Sequence, residues 1–161
     1  MIYSSIILTP IGHLMLSTDE NSVLSISLIS EVGDYYSFED KTLPKIMINL
    51  QEQIIKYFNK ELTTFNVALN FENTSEFQKN IYTFLMSVKY GDLITYKEIG
   101  NKLNSRAYRV IGTYMRKNPF PIIVPCHRVI LSSKKIGKYS LGGIETKKFL
   151  LDLEGSMNKK I

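Results

Sequence analysis

A single cysteine in 161 residues excludes an internal disulfide, and two histidines, His13 and His127, supply a protein-only zinc site poorly. No run approaches the roughly 18–20 uncharged apolar residues that a membrane span needs. Residues 1–10 lack the basic n-region of a secretory signal and read as a first strand. No internal repeat or low-complexity segment is present, which removes solenoids and fibrous arrays. A reducing, intracellular setting is the expectation for such a chain. With one thiol in the sequence, any cysteine chemistry has one candidate, Cys126.

What is present is enough for a packed core, since 44% of the residues are hydrophobic. The length suits one ordinary domain or two small ones. Charge is divided unequally along the chain. Residues 1–72 carry 4 Lys/Arg against 9 Asp/Glu, whereas residues 73–161 carry 16 against 6. A basic second half suits contact with a polyanion, because Lys and Arg gain by releasing phosphate counterions. A merely solvated basic surface remains the alternative on charge alone.

The first half reads as an antiparallel meander over 2–9 and 13–29, with turns at Thr9-Pro10-Ile11-Gly12 and Asp19-Glu20-Asn21-Ser22. A polar loop is expected over 30–43. Pro44 suits the first turn of a helix whose apolar face, Ile46, Leu50, Ile54, Tyr57 and Phe58, continues to about Lys60. Residues 65–69 are a further strand candidate. A domain boundary is placed near residue 72.

Helical patterning dominates the second half. Asn73 through Glu76 has capping-box character ahead of the stripe Phe77, Ile81, Phe84, Leu85 and Val88, and Tyr90-Gly91-Asp92 is expected to end that helix. Thr95-Tyr96-Lys97-Glu98 is a cleaner capping box, opening a short helix with Ile99 and Leu103 inward. After a tight turn at Asn104-Ser105, a third helix is expected over about 106–117. Two short helices joined in this way make a helix-turn-helix candidate, shared by many bundles.

Residues 118–130, Asn-Pro-Phe-Pro-Ile-Ile-Val-Pro-Cys-His-Arg-Val-Ile, are unlike their surroundings. Three prolines preset φ and reduce the entropy lost in holding a loop rigid. Ile122, Ile123 and Val124 are expected inside, leaving Cys126 at the edge of the core. A free thiol has a pKa of about 8.5 and needs help to act as a nucleophile near neutral pH. His127 is adjacent and could reach the sulfur through a water if a carboxylate oriented it. An inert buried cysteine beside an incidental histidine remains open at this point.

Pro125-Cys126-His127-Arg128-Val129 resembles the active-site motif of the methylated-DNA–protein-cysteine methyltransferases, also called O6-alkylguanine-DNA alkyltransferases. The likeness extends, in family order and nearly family spacing, to Tyr90-Gly91, Thr95-Tyr96, Arg109, Gly112, Asn118-Pro119, Gly137, Tyr139-Ser140, Lys147, Leu150-Leu151 and Glu154-Gly155. It covers about 75–155, and Thr9-Pro10-Ile11-Gly12 with Leu14 and Leu16 resembles the family's first hairpin.

The resemblance implies an α/β N-terminal domain over 1–72, an antiparallel sheet plus helix and ribonuclease H-like. It implies a mainly α domain over 73–161 containing a helix-turn-helix. The implied reaction is irreversible, stoichiometric transfer of the alkyl group of O6-alkylguanine, and of O4-alkylthymine, in duplex DNA to Cys126. His127 would take the thiol proton through a water and Glu154 would orient the imidazole. Tyr96 and the backbone N–H of Ser140 would donate to the base as negative charge develops on it. The carbonyls of Cys126 and Val129 would read the exocyclic amine, Tyr139 would pack on the base, and Asn118 would join the hinge behind the loop.

Because the target atom is unreachable inside a duplex, the nucleotide must be flipped, with Arg109 filling the gap. The third helix would lie in the minor groove, and Thr95, Tyr96, Arg106, Ala107, Tyr108 and Arg128 are the further expected DNA contacts. Tyr108, Val110 and Tyr114 are bulkier than the small residues usual in the family here. The stretch from Tyr139 to Gly143 is one residue longer than usual. No cofactor and no metal are expected, the N-terminal zinc site of some relatives included. The chain is expected to be monomeric and cytoplasmic, with access to chromosomal DNA and no membrane contact. The alternatives are a non-catalytic lesion-binding protein, a class whose members lack the acceptor cysteine, and a cysteine hydrolase.

Overall fold

A computed structural model describes residues 1–31, 33 and 42–158, in which two compact units are separate, Met1–Asn70 and Phe71–Ile161. Most of the loop expected over 30–43 lies outside the described residues.

In the first unit β1 (Tyr3–Thr9), β2 (Gly12–Thr18) and β3 (Val23–Ile29) form an antiparallel sheet in that order. The β1–β2 turn is closed by Thr9, whose hydroxyl donates to the Gly12 carbonyl at 2.7 Å. Gly12 there has a φ of +118°, which a side chain would strain. Period-2 alternation puts Leu14 and Leu16 of β2 on one face with Ile26 of β3 opposite Leu16, and the register shift at Ser17/Thr18 brings Val23 opposite Thr18 to join them, all buried. Helix α1 (Lys45–Phe58) covers this face with Met47, Leu50, Ile54 and Tyr57, each fully buried at helical spacing. Burying a side chain of this size stabilises by about 1.5–3 kcal/mol.

Two expectations change here. Pro44 is the N-cap, extended at ψ 154°, rather than a residue of the first turn. The strand expected over 65–69 reduces to a single bridge of Leu69 with Val23. The buried side chain of Gln53 satisfies the backbone of Asn66 on both sides, accepting from its N–H at 2.7 Å and donating to its carbonyl at 3.0 Å. A side-chain amide has thus taken the place of a neighbouring strand.

The second unit holds α2 (Glu76–Met86), β4 (Ile94–Thr95), α3 (Tyr96–Lys102), α4 (Tyr108–Arg116), β5 (Val129–Ile130) and α5 (Gly143–Leu153). Ser75, not Asn73, caps α2, its hydroxyl accepting from Gln78 N–H. The helix ends at Met86, before Tyr90. The Ser87 hydroxyl and N–H both go to the Phe84 carbonyl, and Val88 N–H goes to Leu85, which tightens the last turn. The Thr95–Glu98 capping box forms in full at the start of α3. Helix α4 begins at Tyr108 rather than 106, since Ala107 has a non-helical ψ of 52° and its N–H is held by the Ser105 hydroxyl.

Helices α3 and α4 approach closely at Gly100. A Cβ there would lie 2.5 Å from the Tyr108 ring and 2.7 Å from the Ser105 carbonyl oxygen. The parallel β4–β5 ladder pairs Ile94 with Val129 and Thr95 with Ile130. It thereby brings the start of α3 beside the segment that holds the thiol.

Candidate active site

Every residue from Pro121 to Ile130 is buried. Val124 N–H closes a turn onto the Phe120 carbonyl at 2.8 Å, with Ile122 held at a φ of +76°. A β-branched residue in that region costs on the order of 1–3 kcal/mol and persists only where its surroundings enforce it. Asn118 supplies much of that enforcement. Its Oδ1 accepts from Phe120 N–H at 2.9 Å, and its Nδ2 donates to the Val124 carbonyl at 2.9 Å and to Cys126 Sγ at 3.2 Å.

Cys126 opens a 3₁₀ turn, Cys126–Arg128, and lines a cavity of about 650 Å³. Tyr96 of α3, Tyr108, Arg109 and Gly112 of α4, and Tyr139 and Ser140 line the same cavity. Met115, Leu131, Ser132 and Gly137 complete its apolar and small-residue lining. Four exposed cations, Lys97, Arg109, Arg116 and Lys138, belong to the lining as well.

Behind the thiol lies a buried ionic cluster. His127 Nε2 is 2.7 Å from Glu154 Oε1. Arg128 donates from Nε to Glu154 Oε2 at 2.8 Å and from Nη2 to Oε1 at 2.9 Å, and its Nη1 binds the Val88 carbonyl at 2.6 Å. Burial alone would push the Glu154 carboxyl up, but the hydrogen bonds of His127 and Arg128, with the Arg128 charge, outweigh it and hold the group well below the usual range. Burial also pushes the His127 imidazole down, beyond what Glu154 restores, so the ring is neutral.

An ionised carboxylate can only accept, so the proton on His127 is on Nε2 and Nδ1 carries the lone pair. That Nδ1 is buried with no hydrogen-bond partner among the described residues. The ring thus offers a bare base, oriented from behind by Glu154. Burial pushes the Cys126 thiol up, against hydrogen bonds from Asn118 and Tyr139 and the charge of Lys147. Burial raises Tyr96 too, so its hydroxyl stays a donor through the neutral range.

The expected site residues divide into three groups. Cys126, Tyr96, Tyr139, Ser140, Tyr108 and Arg109 meet at the cavity. His127, Glu154 and Asn118 stand behind it. The remainder lie elsewhere. Arg128, expected on the DNA, is 6% exposed and committed to Glu154. The Thr95 side chain is buried in the α3 cap. Arg106 and Ala107 precede α4, with Arg106 exposed. The Val129 carbonyl already accepts from Lys147 Nζ at 2.6 Å.

Lys147 is a site feature that sequence reasoning passed over except as part of a likeness. A signal for it was available, since Lys147, Leu150, Leu151 and Glu154 fall at i, i+3, i+4 and i+7 and are all buried. A metal has no candidate holder, because no group of three or more His, Cys, Asp or Glu side chains comes together among the described residues. No helix among them is long and apolar enough to cross a membrane.

Fold and site together define a cysteine-centred protein, in which a carboxylate–imidazole pair backs a buried thiol at a cavity lined partly by cations. Residues 76–156 match the family described as 6-O-methylguanine DNA methyltransferase, DNA binding domain. The methylated-DNA–protein-cysteine methyltransferase of Methanosarcina acetivorans is 36% identical over 160 residues, spanning 96% of this chain and 99% of that protein. The crystal structure of Mycobacterium tuberculosis OGT in complex with DNA is similar at a TM-score of 0.81 and 33% identity, covering 95% of this chain and 93% of that one. An O6-methylguanine DNA methyltransferase from Methanococcus jannaschii is similar at a TM-score of 0.69 and 26% identity, covering 98% and 96%. The chain belongs to the methylated-DNA–protein-cysteine methyltransferase family.

Proposed function

We propose that this protein repairs duplex DNA by moving the alkyl group of O6-alkylguanine, and of O4-alkylthymine, irreversibly onto Cys126. The observation that carries this reading is the lone thiol at a cavity, backed by a neutral imidazole whose other nitrogen is tied to Glu154. His127 Nδ1 takes the thiol proton through a water, and the imidazolium so formed is stabilised by Glu154. The thiolate attacks the alkyl carbon in line. The S–C bond forms as the C–O6 bond breaks, and guanine leaves with the electron pair and recovers a proton. Each molecule acts once.

Tyr96 donates its hydroxyl to the base and the Ser140 N–H donates near O6, which offsets the charge that develops there. Tyr139 packs on the base, and the Cys126 and Val129 carbonyls read its amine. A carbonyl has two lone pairs, so Val129 can serve both Lys147 and the substrate.

On the DNA side, α3 and α4 act as a helix-turn-helix, and the N-terminal domain is ribonuclease H-like. Helix α4 enters the minor groove, and Arg109 fills the gap left by the flipped nucleotide. The exposed cations at the cavity support phosphate contact. The active form is a monomer, consisting of a domain over 1–72 and one over 73–161, and it works in the cytoplasm.

Intact mass after mixing with excess O6-methylguanine duplex tests the reading. A gain of about 14 Da, one added CH₂, on the Cys126 peptide and saturating at one per chain is expected from transfer to a single acceptor. An unmodified chain that holds the duplex would instead make it a lesion-binding protein. Demethylated DNA with an unmodified chain would mean turnover and overturn the mechanism.

A further inference from the structure

Residues 99–144 hold nine Lys/Arg and not one Asp or Glu. Arg128 is spent inside the fold, on Glu154. The other eight are exposed, and none has an ion-pair partner among the described residues. Like charges gathered without anions repel one another, and a polyanion relieves that repulsion. These cations do not all lie on α4. Arg109 and Arg116 reach the cavity from that helix, but Lys138 reaches it from the loop over 131–138.

That loop is a held element. Leu131 N–H donates to the Lys135 carbonyl and Lys134 N–H to the Leu131 carbonyl, each at 2.9 Å, which closes a turn. All five side chains from Leu131 to Lys135 are exposed. Lys134 stands at a φ of +67°, a region that glycine or asparagine enters more easily. Further along, the carbonyls of Ile136 and Lys138 are bound from within by Lys147 Nζ, at 2.6 and 3.3 Å. The backbone is thus fastened inward, while Lys134, Lys135 and Lys138 stay in solvent.

We propose that the loop over 131–138 is a second DNA-binding element, in which Lys134, Lys135 and Lys138 grip backbone phosphates of the strand that delivers its base to the cavity. The proposal rests on a flipped nucleotide occupying the cavity beside Cys126. Such a nucleotide stays joined to its own strand, so its neighbouring phosphates lie where the cavity opens. Ser132 and Lys138 line the cavity from this loop, with Ser140 just beyond it. An ammonium meets a phosphate as a point charge and gains by releasing a counterion. This grip engages one strand and needs no groove. It therefore holds single-stranded DNA as well as duplex, whereas an arginine that fills a gap needs a stack.

The test is binding of the full chain to labelled, undamaged single strands and duplexes, followed by anisotropy over a range of salt. Replacing Lys134→Gln, Lys135→Gln and Lys138→Gln together removes three phosphate contacts. The slope of log affinity against log salt should become shallower by about 2.7 on duplex and about 2.1 on single strand. A control with equal loss of charge in the first unit, Lys45→Gln, Lys56→Gln and Lys60→Gln, should leave both slopes in place. An unchanged slope in the loop variant, or an equal change in the control, overturns the proposal. A change on duplex with none on single strand overturns it too, since the lysines would then serve the groove.

Lys134→Gly separates grip from folding. It relieves the turn, so the variant should melt no earlier than the native chain while its duplex slope becomes shallower by about 0.9. A native slope in that variant counts against the grip. Undamaged DNA carries no alkyl group, so these slopes stand apart from transfer to Cys126. A shallower slope without transfer keeps the grip and retires the repair reading, and transfer with unmoved slopes does the reverse.

Discussion

Two walls of one cavity differ in how their side chains are used. Behind Cys126, the polar groups of Asn118, Arg128 and Glu154 are bonded within the protein, and residues 121–130 are buried without a break. Across the cavity, Tyr108, Arg109 and Val110 of α4 are exposed, and only Ile111 and Met115 of that helix are buried. One wall is fixed to perform a step, and the other is left open to receive something. A side chain already saturated inside the fold has little to offer a ligand, whereas an exposed one loses water on contact and must be repaid by the partner. Under the proposed function, the thiol wall carries the chemistry and α4 the recognition.

The strongest way to break the contrast is Glu154→Gln. It leaves Arg128 buried without its charge partner and lets His127 choose the other tautomer. Transfer to Cys126 should fall by a factor of about 10²–10⁴, the usual contribution of general acid–base catalysis. Stability should fall by about 3–5 kcal/mol, as for other broken buried pairs. Single-turnover kinetics and denaturant melts measure the two, and a normal rate in the variant would remove Glu154 from the mechanism.

Arg109→Ala should act on the opposite wall. Transfer from duplex is expected to fall roughly fivefold to 150-fold, about 1–3 kcal/mol, and reaction with free O6-alkylguanine base by much less. Equal losses on duplex and free base would show that the arginine serves the chemistry and not the DNA.

The smallest effect is on stability against pH, and it belongs to the thiol wall. The folded protein holds His127 below its ordinary 6.5 and Glu154 below its ordinary 4.5. Their contributions are complete above those values and are lost as pH falls from them toward the lower folded values, first the imidazole and then the carboxylate. The Cys126 thiol is raised above 9.0, so its contribution is complete below that pH and is lost above it. Each group can change stability by at most about 1.4 kcal/mol per pH unit. Melts across pH should show the alkaline loss diminish in Cys126→Ala, while the acid loss stays.

Much of this was legible in the sequence wherever a local cause was sufficient. Thr95 and Glu98 make their cap with each other, and the prolines around Cys126 constrain their own backbone, so both could be read from adjacent residues. The β1–β2–β3 meander followed from alternation and turns. Elements that depend on distant partners were not legible. Residues 65–69 have strand composition, but the Gln53 amide occupies Asn66. Arg128 looks like a phosphate ligand until Glu154, far along the chain, claims its guanidinium. The pairing of His127 with Glu154 came from likeness to a family, because no spacing rule joins them.

The β4–β5 ladder has a consequence for how order is distributed. Its two rungs, Ile94 with Val129 and Thr95 with Ile130, close a loop of roughly thirty residues containing α3, α4 and the thiol turn. Closing a flexible loop of that length costs about 3 kcal/mol of chain entropy beyond a constant. The helices and the thiol turn share that closure, so neither can be ordered for long while the other melts. A disturbance at the exposed helix and one at the sulfur are therefore tensions on a single short clasp.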